Sequence, residues 1–385
     1  MKQGWKIKKL ADVCTSDLGK TLNQSKDTGD MHPYLCAINI FWDKVDFTTV
    51  KQTRFELSEI ERYSVRKDDL LICEGGDIGR AAIWDKDETM LYQNALHRVR
   101  FDGSIIPRFC LLYLRFLKNT GILDGRYGKG VTIKHLVKSS LLSIPIPVPP
   151  IAEQEKIVAE LDCLSGIIEK KKQQLKELDN LAQSIFYEMF GDPVENDKGW
   201  EKKRLDEIGK VITGNTPSTK DESNYSSADY CFVKPSDIAK DSISYISNTE
   251  FYVSEKAYIN SRQLPKGSVL TTCIGIIGKV GILQKDATCN QQINAIIPNK
   301  DIDAKFLAHV LFMIRDVLTD VANAPIVPII NKKEFSSVSI PFPPLDLQQN
   351  FASKIESIEK QKELIARSIK ETETLFNSRM DYYFN

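Results

Sequence analysis

The sequence predicts an α+β fold: two similar domains separated by two long antiparallel coiled-coil helices, with an internal pseudo-two-fold repeat. The first observation behind this is duplication. Gly4-Trp5-Lys6 followed by Lys9-Leu10-Ala11-Asp12-Val13 returns about 195 residues later as Gly199-Trp200-Glu201 followed by Arg204-Leu205-Asp206-Glu207-Ile208, a period too long for a solenoid and suited to a copied domain. The second is a pair of proline-rich exits. Ile144-Pro145-Ile146-Pro147-Val148-Pro149-Pro150 with Glu153-Gln154 is echoed by Val338-Ser339-Ile340-Pro341-Phe342-Pro343-Pro344 with Leu347-Gln348. The third is that each exit leads into a stretch with apolar residues at alternating steps of three and four. Two similar modules on one chain suit two similar targets, so the function is sought in a two-part partner.

In chain order, residues 1–150 read as a first domain of short strands and loops. Tyr34-Leu35-Cys36-Ala37-Ile38, Asp69-Leu70-Leu71-Ile72-Cys73 and Arg80-Ala81-Ala82-Ile83-Trp84 are apolar runs bounded by turn residues. Phe109 to Leu117 is longer and fits a buried helix. The prolines of the exit fix φ and remove donors, giving a stiff extended segment. Residues 151–192 then form a long helix whose seam is Ile157, Leu161, Leu164, Ile168, Lys171, Leu175, Leu178, Ala182, Ile185 and Met189. Residues 193–344 repeat the first domain, with Phe306 to Phe312 as the matching helix. Residues 345–385 form the second long helix, with Phe351, Ile355, Ile358, Lys362, Ile365, Ile369, Thr372, Phe376, Arg379 and Tyr383 on its seam. A helix of about 35 residues is about 50 Å long and outreaches a lobe of this size, so its stripe needs another helix. Two such helices joined by a whole lobe pair most simply in antiparallel fashion. Lys171 and Lys362 interrupt the two seams at nonequivalent positions; they either fix the register or mark solvated breaks.

The chain of 385 residues carries 52 Lys+Arg and 52 Asp+Glu, a formal net charge of zero, which weighs against a simple polycationic binder. The lobes are slightly positive and the first connector is acidic, a pattern that fits lobes facing phosphate. The eight cysteines form no CxxC pair, and the four histidines (32, 97, 135 and 309) have no metal spacing, so reduced core thiols are expected, and surface or core histidines rather than metal ligands. The start of the chain lacks the apolar stretch of a signal peptide and no long apolar run follows, which predicts a cytoplasmic protein with no membrane partner. Catalytic segments are not found. Gly275-Ile276-Ile277-Gly278-Lys279 is too short for a phosphate loop and ends in Val280 where Ser or Thr belongs.

Two lobes, each closed by a proline exit and a long helix, the first ending at Met189-Phe190-Gly191-Asp192, resemble the specificity subunits of type I restriction–modification systems. The resemblance spans the whole chain. It is carried by Gly4-Trp5, Gly199-Trp200, Gly214-Asn215-Thr216-Pro217-Ser218, Asn290-Gln291-Gln292 and the two exits. In the first lobe, Leu18-Gly19-Lys20-Thr21-Leu22 replaces the Gly-x-Thr-Pro loop, and Gln93-Asn94-Ala95-Leu96-His97 stands in for Asn-Gln-Gln. The resemblance implies a noncatalytic subunit whose lobes, as target-recognition domains, each read half of a bipartite site in double-stranded DNA. It implies helices that set the gap and dock two modification (methyltransferase) subunits, with restriction and motor subunits joining afterwards. No cofactor or metal is expected on this chain, and S-adenosylmethionine is expected on the modification subunit.

Half-site reading needs paired donors and acceptors aimed at base edges, with cations on phosphate. In the first lobe the DNA-binding candidates are Lys20, Thr21, Asn23, Gln24 and Lys26 in one loop, and Arg126, Tyr127, Lys129, Thr132, Lys134 and His135 in another. In the second they are Asn215, Thr216, Ser218, Thr219 and Lys220, then Asn323, Asn331, Lys332 and Lys333. The turn Glu74 to Arg80 is read as architectural because its carboxylates repel phosphate, leaving Arg80 and its counterpart Lys279 as cation candidates. Asn290-Gln291-Gln292 either ties strands together or reaches adenine edges. A two-lobed protein-binding coiled-coil scaffold is the competing reading. Steep salt dependence of duplex binding separates the two.

Overall fold

The computed structural model describes residues 4–23, 25, 27–322 and 327–385. It forms two compact units, Met1–Lys171 with Ser368–Asn385, and Lys172–Arg367. The units do not follow the four segments 1–150, 151–192, 193–344 and 345–385. Each takes a lobe together with parts of both long helices, because the helices bury their stripes against the lobe as well as against each other.

In the first unit, an antiparallel sheet runs in the order Cys14–Leu18, Leu96–Phe101, Leu70–Cys73, Ala81–Ile83. Leu70–Cys73 is buried along its whole length, as an unbroken apolar run demands. A second sheet, ordered Lys51–Phe55, Asp30–Leu35, Met90–Tyr92, Ser64–Val65, contains one parallel pair, Met90–Tyr92 with Asp30–Leu35. The run expected to continue to Ile38 stops at Leu35, and a 3-10 turn follows at Ala37–Asn39. The Asn39 side chain turns the backbone there, accepting from the Cys36 N–H at 2.9 Å. The expected helix spans Pro107–Asn119.

The proline exit Pro145–Val148 is a strand paired antiparallel with Lys6–Lys9. A two-stranded ribbon tolerates proline because one side of each strand needs no ladder bond. The helix Ile151–Phe190 begins beside it, anchored by the fully buried Gln154. That side chain accepts from Ile106 N–H at 2.8 Å and donates to the carbonyls of Ser104 (2.8 Å) and Pro149 (2.9 Å). Farther along, Glu160 takes Arg379 and the Tyr383 hydroxyl, while the Lys171 ammonium reaches Ser368. Pairs 160 with 379 and 171 with 368 run in opposite senses, so the helix segments within this unit are antiparallel. Phe384 closes the core, its ring 5.4 Å from Phe109 and Tyr113 and 5.8 Å from Phe116.

The second unit repeats the design. Gly209–Thr213, Ile293–Pro298, Val269–Thr272 and Val280–Leu283 follow the same strand order, extended by a parallel strand, Ser244–Ile246. A smaller sheet holds Phe251–Val253, Tyr230–Val233 and Ala287–Cys289. The exit Ser339–Pro341 pairs with Lys202–Arg204, and the expected helix spans Ala304–Met313. The buried Gln348 accepts from Asp303 N–H at 2.9 Å and donates to Pro343 O at 2.8 Å, repeating the anchor at the start of the helix Leu345–Phe384. Lys362 donates to Asp179 at 2.7 Å, and Phe186 packs against Phe351 at 5.5 Å, again an antiparallel pairing.

Both seam lysines therefore hold cross-helix partners rather than marking solvated breaks. Of the seam residues, Ile157, Leu161, Ile168, Ala182, Phe351, Ile355, Ile358, Ile369 and Phe376 are buried, whereas Leu164, Leu175, Leu178, Ile185 and Ile365 are partly buried. At the end of the first helix the buried positions are Phe186 and Phe190, one residue beyond the expected Ile185 and Met189. The stripe turns there because the two rings enter the lobe core beside Phe306.

Candidate nucleic-acid interface

The first candidate loop follows the strand Cys14–Leu18. Gly19 is required at its start, since a Cβ would stand 2.2 Å from Tyr92 O. Lys20, expected to face phosphate, points inward instead. It is 5% exposed, bonds Glu59 at 2.6 Å and Arg54 O at 2.9 Å, and lies 3.4 Å from Asp27. Burial alone would lower its pKa, but the hydrogen bond and charge of Glu59, aided by Asp27, outweigh burial and raise it. An ammonium with this many internal partners pins the loop and is unavailable to DNA. Thr21 and Asn23 remain exposed. Gln24 and Lys26 lie outside the described residues.

The second loop passes through a π-turn at Leu123–Tyr127. Tyr127 is a core residue rather than a reading one, because its ring is buried under the lobe. Arg126 is exposed, its guanidinium 5.7 Å from the Tyr127 ring centre. Lys134 donates to Asp124 O at 2.7 Å and so braces the loop. Lys129 and His135 exchange backbone bonds of 2.9 and 2.8 Å, and Leu136 N–H meets Glu74 O at 2.6 Å. Lys129, Thr132 and His135 are exposed around this closure.

Arg80 and Lys279, also expected to face phosphate, both turn inward. Arg80 Nη2 donates to Ala37 O at 2.7 Å, and Lys279 Nζ donates to Pro235 O at 2.5 Å. These carbonyls belong to matching 3-10 turns, Ala37–Asn39 and Pro235–Asp237. The duplicated Ile-Gly-cation motif is therefore a lock between a turn and a sheet. Its glycines need positive φ, 79° at Gly79 and 80° at Gly278.

In the second lobe, Asn215 Oδ1 accepts from Arg262 N–H at 3.0 Å, and the Arg262 guanidinium reaches the carbonyls of Thr213 and Gly214. Thr216 donates to Gln291 at 2.7 Å. Ser218, Thr219 and Lys220 are exposed, and the Ser218 backbone is braced by Asn224 at 3.0 Å. Asn331 caps the helix Lys332–Ser337: its side chain accepts from Glu334 N–H at 3.0 Å while Glu334 accepts from Asn331 N–H at 3.1 Å. This reciprocal capping box gives Asn331 a structural role in place of the expected base contact. Lys332 and Lys333 stand exposed on the first turn of that helix. Asn323 lies outside the described residues. Asn290 Nδ2 donates to Gln292 Oε1 at 2.9 Å within the turn that follows the strand Ala287–Cys289.

Sequence reasoning missed Arg262, which clamps the Asn215 loop. It sits in the polar run Ser261-Arg262-Gln263 with no periodicity to distinguish it. Among the described residues, no group of three or more His, Cys, Asp or Glu is placed to hold a metal ion, and no helix is long and apolar enough to cross a membrane. All eight cysteines are free; six are buried and Cys14 is half-buried, but Cys163 is exposed on the first long helix and is not the core thiol expected. Burial pushes the Cys73 and Cys273 thiols up to about 11 and Cys14 to about 12, which suits inert core thiols.

Fold and loops together define a duplicated-lobe protein in which each copy presents polar side chains from braced loops. Residues 2–180 and 197–374 match the type I restriction modification DNA specificity domain, and the chain belongs to that family. The putative type I restriction enzyme MjaX specificity subunit of Methanocaldococcus jannaschii is 24% identical over 392 residues, covering 96% of this chain and 91% of that one. The MjaIX specificity subunit of the same organism is 32% identical over 182 residues, 44% of this chain and only 42% of that protein. The type I S subunit from M. genitalium shares the fold with a TM-score of 0.58 at 12% identity, covering 99% of this chain and 96% of that one. A chain solved in work on complex assembly of the type I R-M system has a TM-score of 0.63 at 18% identity, covering 100% of this chain and 98% of that one.

Proposed function

We propose that this chain is the noncatalytic DNA specificity subunit of a type I restriction–modification complex, acting in the cytoplasm. Each lobe reads one half of a bipartite duplex site. The long helices set the gap and dock two methyltransferase subunits, which hold S-adenosylmethionine; restriction and motor subunits join that assembly. The observation that carries this reading is duplication down to the loops. Both lobes brace a polar loop after the first sheet strand, lock a 3-10 turn with a cation, and leave exposed cations beside the same sheet turn. Two copies of one reading surface suit two short sequence elements.

Exchange of residues 15–135 for the matching lobe of a relative tests this, with methylated bases sequenced in cells carrying the parent or the chimaera. One half-site is expected to change while the other persists. A change in both, or in neither, removes the modular reading.

A further inference from the structure

We propose that each lobe reads thymine through an apolar tip, Val131 with Ile133 in the first lobe and Val327 with Ile276 and Ile329 in the second, packed against thymine 5-methyl groups in the major groove. The proposal rests on the reading of the lobes as DNA readers. Val131 is 100% exposed and Ile133 63% exposed. Single surface aliphatics are common and by themselves mean little. These two differ in standing on a braced loop closed at its base by the Lys129–His135 backbone pair. Gly130 adopts φ 109°, and a Cβ there would meet Ile133 O at 2.3 Å, so the tip is built around a residue that only glycine fits. β-branched side chains have few rotamers and lose little freedom when they make contact.

The second lobe repeats the placement from different sequence. Gly75 bridges His135 in the first lobe, and Ile274 bridges Ile329 in the second. Next to these bridges, Leu136 N–H donates to Glu74 O at 2.6 Å and Ile330 N–H to Cys273 O at 3.0 Å. Ile133 and Val327 each stand two residues before the bridge, and Val327 is 46% exposed. Ile276 and Ile329 are both exposed, and the Gly275 N–H donates to Pro328 O at 3.1 Å, which joins their two segments. Cations border both tips. Arg126 and Lys129 in one lobe, Lys332 and Lys333 in the other, form no salt bridge among the described residues. A narrow methyl-bearing tip with exposed cations near it in sequence complements a groove edge lined by phosphates, where the thymine methyl is the apolar feature on offer.

The test uses the full chain in its complex and duplexes carrying the sequence that it methylates, with deoxyuridine replacing each thymine of the first half-site in turn. Loss of a contacted methyl is expected to weaken wild-type binding about four- to tenfold. The V131A/I133A variant is expected to bind thymine and uracil duplexes equally, with the second half-site and the salt slope unchanged because no phosphate contact is lost. Retention of the full thymine preference by the variant, or wild-type indifference to uracil at every position, overturns the proposal. So does a half-site without thymine. A variant that loses binding equally to thymine and uracil duplexes also overturns it, in favour of a wedge between base steps. Absence of any sequence preference in the wild-type complex sinks the specificity reading itself, a result distinct from failure of the tip alone.

Discussion

Lys20 is fixed by Glu59, distant in sequence, whereas His309 is held by the Lys305 carbonyl one turn back on its own helix. Lys20→Met leaves Glu59 and Asp27 without their cation and Arg54 O without its donor. The variant is expected to unfold at lower denaturant, losing about 2–4 kcal/mol, while the salt slope of DNA binding stays as in the parent. A slope reduced by about one unit would make Lys20 a phosphate contact after all. His309 is held neutral: burial lowers its pKa from 6.5 to about 4, opposed by the bond to Lys305 O at 2.7 Å, which Nδ1–H donates. Between those values the unfolded chain binds a proton that the folded one does not. Stability is therefore present above pH 6.5 and falls on acidification toward pH 4. Chemical denaturation across that range is expected to show the decline, and His309→Gln to flatten it.

At the scale of elements, the duplicated exits explain themselves through Gln154 and Gln348, each of which joins a helix start to its lobe by bonds on both sides of the amide. The long helices carry a seam, and if their length sets the gap between half-sites, a heptad inserted in each at matched positions should shift the preferred spacing to a longer one. Selection from duplexes of varied gap measures this, and an unchanged preference ends the ruler idea. Much at this scale was legible in sequence, because helices and strands announce themselves by apolar spacing and proline punctuation. The loops were not. Lys20, Arg80 and Lys279 find their partners 39, 43 and 44 residues away, and a cation's direction depends on such partners rather than on its neighbours in sequence. Asn331 is the exception that could have been read, since Asn331 and Glu334 have the spacing of a capping box.

At the scale of the molecule, the first unit is discontinuous: Ser368–Asn385 belongs with Met1–Lys171. Removal of 368–385 takes away Phe376, Met380 and Phe384, all buried, and the Arg379 partner of Glu160. Loss of one buried aromatic costs about 3–5 kcal/mol. Hydrogen exchange on the truncated chain is expected to show lost protection in residues 4–171 and retained protection in 172–367. Equal loss in both units would mean that they are not separately stabilised.

The same discontinuity dictates an order of events on the ribosome. The earlier half of the message is translated first yet finished last, since its closing segment emerges only after all of residues 172–367. At about 5–20 residues per second that interval is on the order of ten to forty seconds. Throughout it Phe109, Tyr113 and Phe116 lack the Phe384 ring that packs on them in the folded chain.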